Sequence, residues 1–237
     1  MKQFALGFAL CLTVVSCLSW AAVSHFDADK WAGGIAVHID GKPMRAGSGK
    51  AATVERQTGS FDRIVLRSAE DLEVQIGPKL EVKVSGDDNL LDLIETRVEG
   101  NRLVIASHGS YRTTAPLRVQ VQVPALSEFV LEGSADANLI GLGGARFKLE
   151  LDGSGTIRAS GKVDDLDVEV NGSGDALLAG LQARSAEADL NGSGDIELAA
   201  VASLHAQING SGDIRYHGTP TNLHTAVNGS GDIERVD

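Results

Sequence analysis

Leu166-Asp167-Val168-Glu169-Val170-Asn171-Gly172-Ser173-Gly174-Asp175-Ala176-Leu177-Leu178 decides the fold of this chain. Two apolar/polar alternations flank a glycine-rich turn. Period-2 alternation over five residues is the pattern of a half-buried strand. The turn recurs six times: Gly133-Ser134-Ala135-Asp136, Gly153-Ser154-Gly155-Thr156, Gly172-Ser173-Gly174-Asp175, Gly192-Ser193-Gly194-Asp195, Gly210-Ser211-Gly212-Asp213 and Gly229-Ser230-Gly231-Asp232. Successive first glycines lie 20, 19, 20, 18 and 19 residues apart. A fixed period of this size is the mark of a solenoid, in which each repeat is one coil stacked on the last.

The columns follow from aligning the copies. One, three and five positions before the residue that precedes the glycine stand Leu151, Leu149 and Phe147, then Val170, Val168 and Leu166, then Leu190, Ala188 and Ala186, then Ile208, Ala206 and Leu204, then Val227, Thr225 and Leu223. Polar residues alternate with them. After the turn a shorter strand follows, with inward pairs Ile157 and Ala159, Ala176 and Leu178, Ile196 and Leu198, Ile214 and Tyr216. Two inward-facing strands per turn predict a parallel β-helix with coils of about 19 residues, spaced by roughly 4.8 Å. The glycine column suits a corner needing φ > 0 or close backbone approach. The serine hydroxyls of Ser134, Ser154, Ser173, Ser193, Ser211 and Ser230 have the turn backbone and each other within reach. Asn171, Asn191, Asn209 and Asn228 fill one column and predict an amide ladder.

Composition bounds the rest. The 237 residues carry a formal net charge of −11, and only 4% are aromatic. The acidic balance argues against nucleic acid, whose binding requires Lys and Arg to neutralise phosphate, and against an electrostatic hold on anionic lipid. Lys2 followed by the apolar run Phe4 to Val15 reads as a signal peptide, too short to span a membrane. Ser19-Trp20-Ala21 offers a cleavage site. Val14-Val15-Ser16-Cys17 resembles a lipobox that would leave an acylated Cys17. Both readings stay open, with cleavage after Ala21 preferred. Cys11 and Cys17 are the only cysteines, so the mature domain is expected to hold no disulfide.

The predicted organisation is a signal peptide at 1–21, a weakly ordered linker at 22–57 and a β-helix domain at 58–237. The last divides into irregular first coils at 58–128 and the six repeats at 129–237. Short strands are expected at Arg63 to Leu66, Leu72 to Ile76 and Leu80 to Val84, with a hairpin turn at Glu99-Gly100-Asn101 and a strand from Leu117 to Val123.

Phe61-Asp62-Arg63-Ile64-Val65, Leu72-Glu73-Val74, Asp87-Asp88-Asn89-Leu90-Leu91 and Val123-Pro124-Ala125-Leu126, followed by the repeated turns, resemble the bacterial auto-transporter adhesin head GIN domain family. The resemblance runs from about residue 56 to Asp237. It implies an exported envelope protein built as a right-handed, single-stranded parallel β-helix, with no catalytic motif to carry over.

Several residue sets invite chemistry. Asp175, Asp195, Asp213 and Asp232 form a carboxylate column that calcium suits, but the nonapeptide calcium motif is missing, and Asp also caps turns through its own backbone. Capping is the preferred reading. The Asn-Gly-Ser triplets match a glycosylation acceptor, yet glycans cannot stand side by side at coil spacing. His205 and His224 share an outward column, where a solvated face is preferred to a zinc site. No cofactor motif is present. The expected function is a non-enzymatic secreted or envelope module whose acidic face meets a surface glycan or protein, with membrane contact only through the signal peptide or Cys17. The alternative is a polysaccharide lyase or hydrolase of the pectinase-like type, which would need deeper inserted loops. Arg235 replaces Leu178, Leu198 and Tyr216 of earlier copies. With Asp237 it is expected to guard the final coil edge against docking by another chain.

Overall fold

A computed structural model describes residues 44–236. The signal peptide, Cys17, the linker up to residue 43 and Asp237 lie outside the described residues. Strands β1 (Arg45–Ala46) and β2 (Ala51–Arg56) occupy the end of the stretch read as linker. They are followed by β3 (Arg63–Arg67), β4 (Asp71–Ile76), β5 (Glu81–Asp87), a 3-10 turn at Leu91–Leu93, β6 (Ile94–Glu99), β7 (Arg102–Ser107), β8 (Tyr111–Arg112) and β9 (Arg118–Val123). The repeats form β10 (Glu128–Gly133), β11 (Asp136–Gly153), β12 (Thr156–Gly172), β13 (Asp175–Gly192), β14 (Ile196–Gly210), β15 (Ile214–His217), β16 (Asn222–Gly229) and β17 (Ile233–Arg235).

These strands wind a parallel β-solenoid. In the repeats each long strand runs along one face, bends and continues along the next, so that β11, β12, β13 and β14 pair in parallel over most of their length. The repeat glycines pair one above another, Gly133 with Gly153, Gly153 with Gly172, Gly172 with Gly192, Gly192 with Gly210 and Gly210 with Gly229. The 18-, 19- and 20-residue spacings are absorbed by register shifts in the middle of the long strands, between Ile140 and Leu142 and between Leu178 and Gln182, for example. The corner register itself never slips.

The predicted inward columns form one continuous core. Phe129, Phe147, Leu149, Leu151, Val168, Val170, Leu190, Ile208, Ile157, Leu178, Ile196 and Ile214 are all buried. Leu223 and Val227 differ. They stand in inward columns but are 43% and 44% exposed, because among the described residues β16 pairs only with β14 and no coil covers its other side. Arg235, on β17, pairs with Tyr216 of β15 and is exposed. The expected guard charge therefore stands on β17, while β16 has none.

The first coils depart from sequence order. β3 lies between β10 and β7, and β4 lies between β11 and β9. The chain lays down the coil of β3 and β4 first, builds the coil of β7 and β9 beneath it, then crosses back to stack β10 on top. Beyond that lower coil the pairing turns antiparallel: β6 on β7 through the expected hairpin turn, β5 on β9, and β2 on β5.

A buried carboxylate clasps this end. Asp87 is fully buried. It accepts hydrogen bonds from the Gly49 N–H at 2.8 Å, the Thr113 hydroxyl at 2.8 Å, and the Thr114 N–H and hydroxyl at 2.9 Å each. These donors come from the loops beside β1 and β8, which pair as a separate two-stranded sheet. The Thr114 N–H above all, opposed by burial and aided by the threonine hydroxyls, holds the Asp87 carboxyl far below the ordinary carboxylate range.

The corner glycines have a steric reason. Gly192 has φ +145°, and a Cβ there would collide with the carbonyl oxygen of Gly172 one coil away. Gly144 also has positive φ, at +123°, but faces open space. Gly192→Ala should therefore destabilise the fold by about 1 kcal/mol or more beyond Gly144→Ala, as read by denaturant titration. Equal costs would mean that backbone conformation, not coil-to-coil approach, selects glycine.

Asp87 makes stability depend on acid. Its folded value lies below the unfolded one, so its contribution is complete above the ordinary aspartate value near about 4 and is lost as pH falls towards the folded value. Asp87→Asn should lower the melting temperature at pH 7 and flatten the decline seen below about pH 4. A parallel decline in both proteins would remove Asp87 as its source.

Candidate functional site

Three outward surfaces carry the polar residues singled out by the sequence: the corner, the face after it and the face before it. At the corner the serines are exposed, and their backbone N–H groups make the cross-coil bonds. The Ser193 N–H donates to the Gly172 oxygen at 2.8 Å, and Ser154, Ser173, Ser211 and Ser230 donate in the same way. The residues before the glycines form a one-directional amide ladder. Asn228 Nδ2 donates to Asn209 Oδ1 at 3.1 Å, Asn209 to Asn191 at 2.9 Å, Asn191 to Asn171 at 3.0 Å, and Asn171 to Asp152 Oδ1 at 2.8 Å. Asp152 is an acceptor only, so it ends the chain of donors without leaving one unused. One coil further Glu132 holds Arg67 through two hydrogen bonds.

On the face after the corner, the aspartate column is a second ladder. Asp175 Oδ1 accepts from the Asp195 N–H, Asp195 Oδ1 from the Asp213 N–H, and Asp213 Oδ1 from the Asp232 N–H, each at 3.0 Å. Asp136 does the same for Thr156. Arg215 lies across the column and reaches Asp195 at 3.2 Å, Asp213 at 3.0 Å and Glu234 at 3.4 Å. Each repeat aspartate up to Asp213 thus spends one oxygen on the next coil's backbone, and two of them share a guanidinium. Further along, a shallow groove of about 290 Å³ runs between Asp71, Glu73, Asp136, Arg118 and Arg158.

The face before the corner is more acidic. Strand β12 presents Asp165, Asp167 and Glu169 outward, and β13 sets Ser185, Glu187 and Asp189 beside them. On β14 and β16 the column continues as His205 and His224, whose ring centroids are 6.2 Å apart and tilted by 50°. A groove of about 430 Å³ lies over Asp165, Asp167, Glu187, His205 and His224. Burial, then the charge of Glu187, raises the Asp189 carboxyl above its ordinary value, and neighbouring Glu169 and Asp167 add to the effect. Arg184 meets Asp165 at 3.2 Å at one margin, and Lys148 meets Glu150 at 3.4 Å on the adjoining coil.

Among the described residues no group of three His, Cys, Asp or Glu converges as a metal site. Among the described residues His108 contacts Glu95 at 2.6 Å and His217 contacts Glu197 at 2.8 Å. Among the described residues no helix is long and apolar enough to cross a membrane. Sequence reading missed the Asp87 clasp, because its donors lie at Gly49 and Thr113 to Thr114, far along the chain in both directions.

The geometry defines a parallel β-solenoid whose surface is ruled by repeated, periodic side chains. The chain belongs to the family described as "Putative auto-transporter adhesin, head GIN domain", whose model matches residues 60–220. Among solved structures, a putative adhesin from Bacteroides fragilis is similar at 22% identity and a TM-score of 0.69, covering 81% of this chain and 99% of that one. A putative adhesin from Parabacteroides merdae is 19% identical with a TM-score of 0.51, over 81% and 98%. A putative lipid binding protein from Parabacteroides distasonis is 27% identical with a TM-score of 0.48, over 81% and 99%. The first two share the fold. Comparison with curated proteins found no match.

The amide ladder sets a directional test. Asn191→Asp removes the donor to Asn171 and puts a carboxylate against its carbonyl oxygen. It should cost about 1–3 kcal/mol at pH 7. The introduced carboxyl has a raised folded value, so stability is fuller below the unfolded value near about 4 and is lost as pH rises through the folded one. Denaturant melts at about pH 3.5 and about pH 7, each referred to the parent, measure this. A cost that does not shrink in acid counts against the ladder.

Proposed function

We propose that this chain is a non-enzymatic, exported β-solenoid that binds a cationic partner of the bacterial envelope, a surface glycan or protein, through the acidic face of β12 and β13. One observation carries the reading: Asp167, Glu169, Glu187 and Asp189 stand together on two paired strands, and burial, with the charge of Glu187 second, raises the Asp189 carboxyl. A cationic partner relieves that repulsion, and its approach is steered by the field of a chain with net charge −11. Family membership supports a surface role. The outward rows repeat from coil to coil, as suits an extended partner lying along or across them. The groove is open and shallow, and a carboxylate pair held around one scissile bond, as glycoside hydrolysis uses, is not part of this reading.

The test uses the full chain immobilised and titrated with oligolysine and chitosan oligosaccharides, with dextran sulfate as the anionic control. Binding of a cationic probe should weaken as salt rises, since exposed charges are screened. Asp167→Lys combined with Glu187→Lys should weaken it about tenfold or more. Equal binding by parent and variant would overturn the acidic-face assignment. Release of new reducing ends or unsaturated sugars from mixed polysaccharides would overturn the non-enzymatic one.

A further inference from the structure

The two margins of the long sheet face are finished differently. At one margin, edge strand β6 carries Glu95, Arg97 and Glu99, joined by ion pairs of 3.0 Å and 2.6 Å through Arg97. Charge on an edge strand is a standard protection against pairing with another chain. At the other margin, all eight residues of β16, Asn222 to Gly229, are exposed. Asn222-Leu223-His224-Thr225-Ala226-Val227-Asn228-Gly229 contains no Asp, Glu, Lys or Arg. Its inward residues Leu223, Thr225 and Val227 continue the columns of Leu204, Ala206 and Ile208, each fully buried one coil earlier. β16 therefore presents a row of backbone donors and acceptors together with the open cross-section of the core.

We propose that β16 is the docking edge for a second copy of this chain, the two strands pairing antiparallel about a two-fold axis at Thr225. In an antiparallel pair, directly opposed residues point to the same side. That parity fixes which registers keep inward residues facing inward. Centred on Thr225, Leu223 of each copy meets Val227 of the other, Thr225 meets Thr225, and Asn222 meets Asn228. Apolar stub covers apolar stub, amide meets amide, and no carboxylate of β16 is brought against another. The charge pattern selects the occupant: in a chain of net charge −11, this is an eight-residue strand where two copies approach without pairing like charges. The closed two-fold arrangement also ends growth, whereas stacking β16 on β6 of the next copy would be open-ended and would set the bare edge against a charged one. Arg235 is exposed on β17, which pairs with β15.

Sedimentation velocity of the full chain across a concentration series tests the proposal. The parent should show a reversible monomer–dimer equilibrium. Leu223→Lys with Val227→Lys places charge on the edge and should weaken the dimer about tenfold or more, while thermal melting checks that the fold persists. Thr225→Cys should give a covalent dimer on mild oxidation beyond any formed by the parent, because the axis sets the two side chains opposite each other; Ser203→Cys, on β14, should not. A parent that is monomeric at every concentration, with another segment or a different protein left as the occupant, overturns the proposal. So does a dimer insensitive to the lysine pair. A dimer that Thr225→Cys fails to cross-link overturns the register.

Discussion

Backbone meets backbone at the Gly-Ser corner, and the rest of the solenoid is built around that contact. The carbonyl oxygen of each corner glycine lies where a Cβ of the next would stand, and the same oxygen receives the next serine N–H. A side chain at that column would push the coils apart and open the hydrogen bonds on either side of it. Holding the coils this close fixes the register at the corner. The fixed register then places each asparagine under the next and each aspartate carboxylate under the next backbone N–H. The apolar columns stack in line for the same reason, so a core poor in aromatic rings packs without large side chains to bridge gaps.

Much of this was legible because every constraint repeats. Leu190, Ala188 and Ala186 alone would suggest little, but the same alternation in Ile208, Ala206 and Leu204 shows which side faces inward. The amide ladder was legible for the same reason, although its direction, ending on Asp152, emerges only from the donor geometry. The serines were read by their hydroxyls, whereas their backbone carries the contact. The first coils were less legible because no repeat marks them. Nothing local in Arg63 to Leu66 tells that β3 will be covered on one side by β7 and on the other by β10. β2 was read as linker because its residues are largely exposed, so the apolar alternation that marks a half-buried strand is weak. Leu223 and Val227 were placed in the right columns, but a column says nothing about whether another coil follows it.

The outward faces show how one repeat yields surfaces of different character. After the corner, the aspartates turn towards the backbone and Arg215 spans two of them, so much of that charge is satisfied within the protein. Before the corner, Asp189 has Glu187, Glu169 and Asp167 of its own sign around it, with His205 acting against them. The distinction comes from geometry rather than composition. A carboxylate next to the turn can reach an N–H of the adjoining coil, while one in the middle of a paired strand finds those N–H groups already used in the ladder.

The crossed winding of the first coils changes how the molecule bears load. Tension applied at the β17 side meets coils stacked in chain order, so strands can be peeled from the stack in succession, each release breaking one ladder. Tension applied at the β3 side meets a coil held between two others that come later in the chain. To leave, β3 and β4 must lose the ladders to β7 and β9 and those to β10 and β11 together. Many hydrogen bonds must then yield at once instead of a few at a time. The two sides of the solenoid thus resist pulling unequally, one strand at a time where coils follow chain order and several ladders at once where they do not.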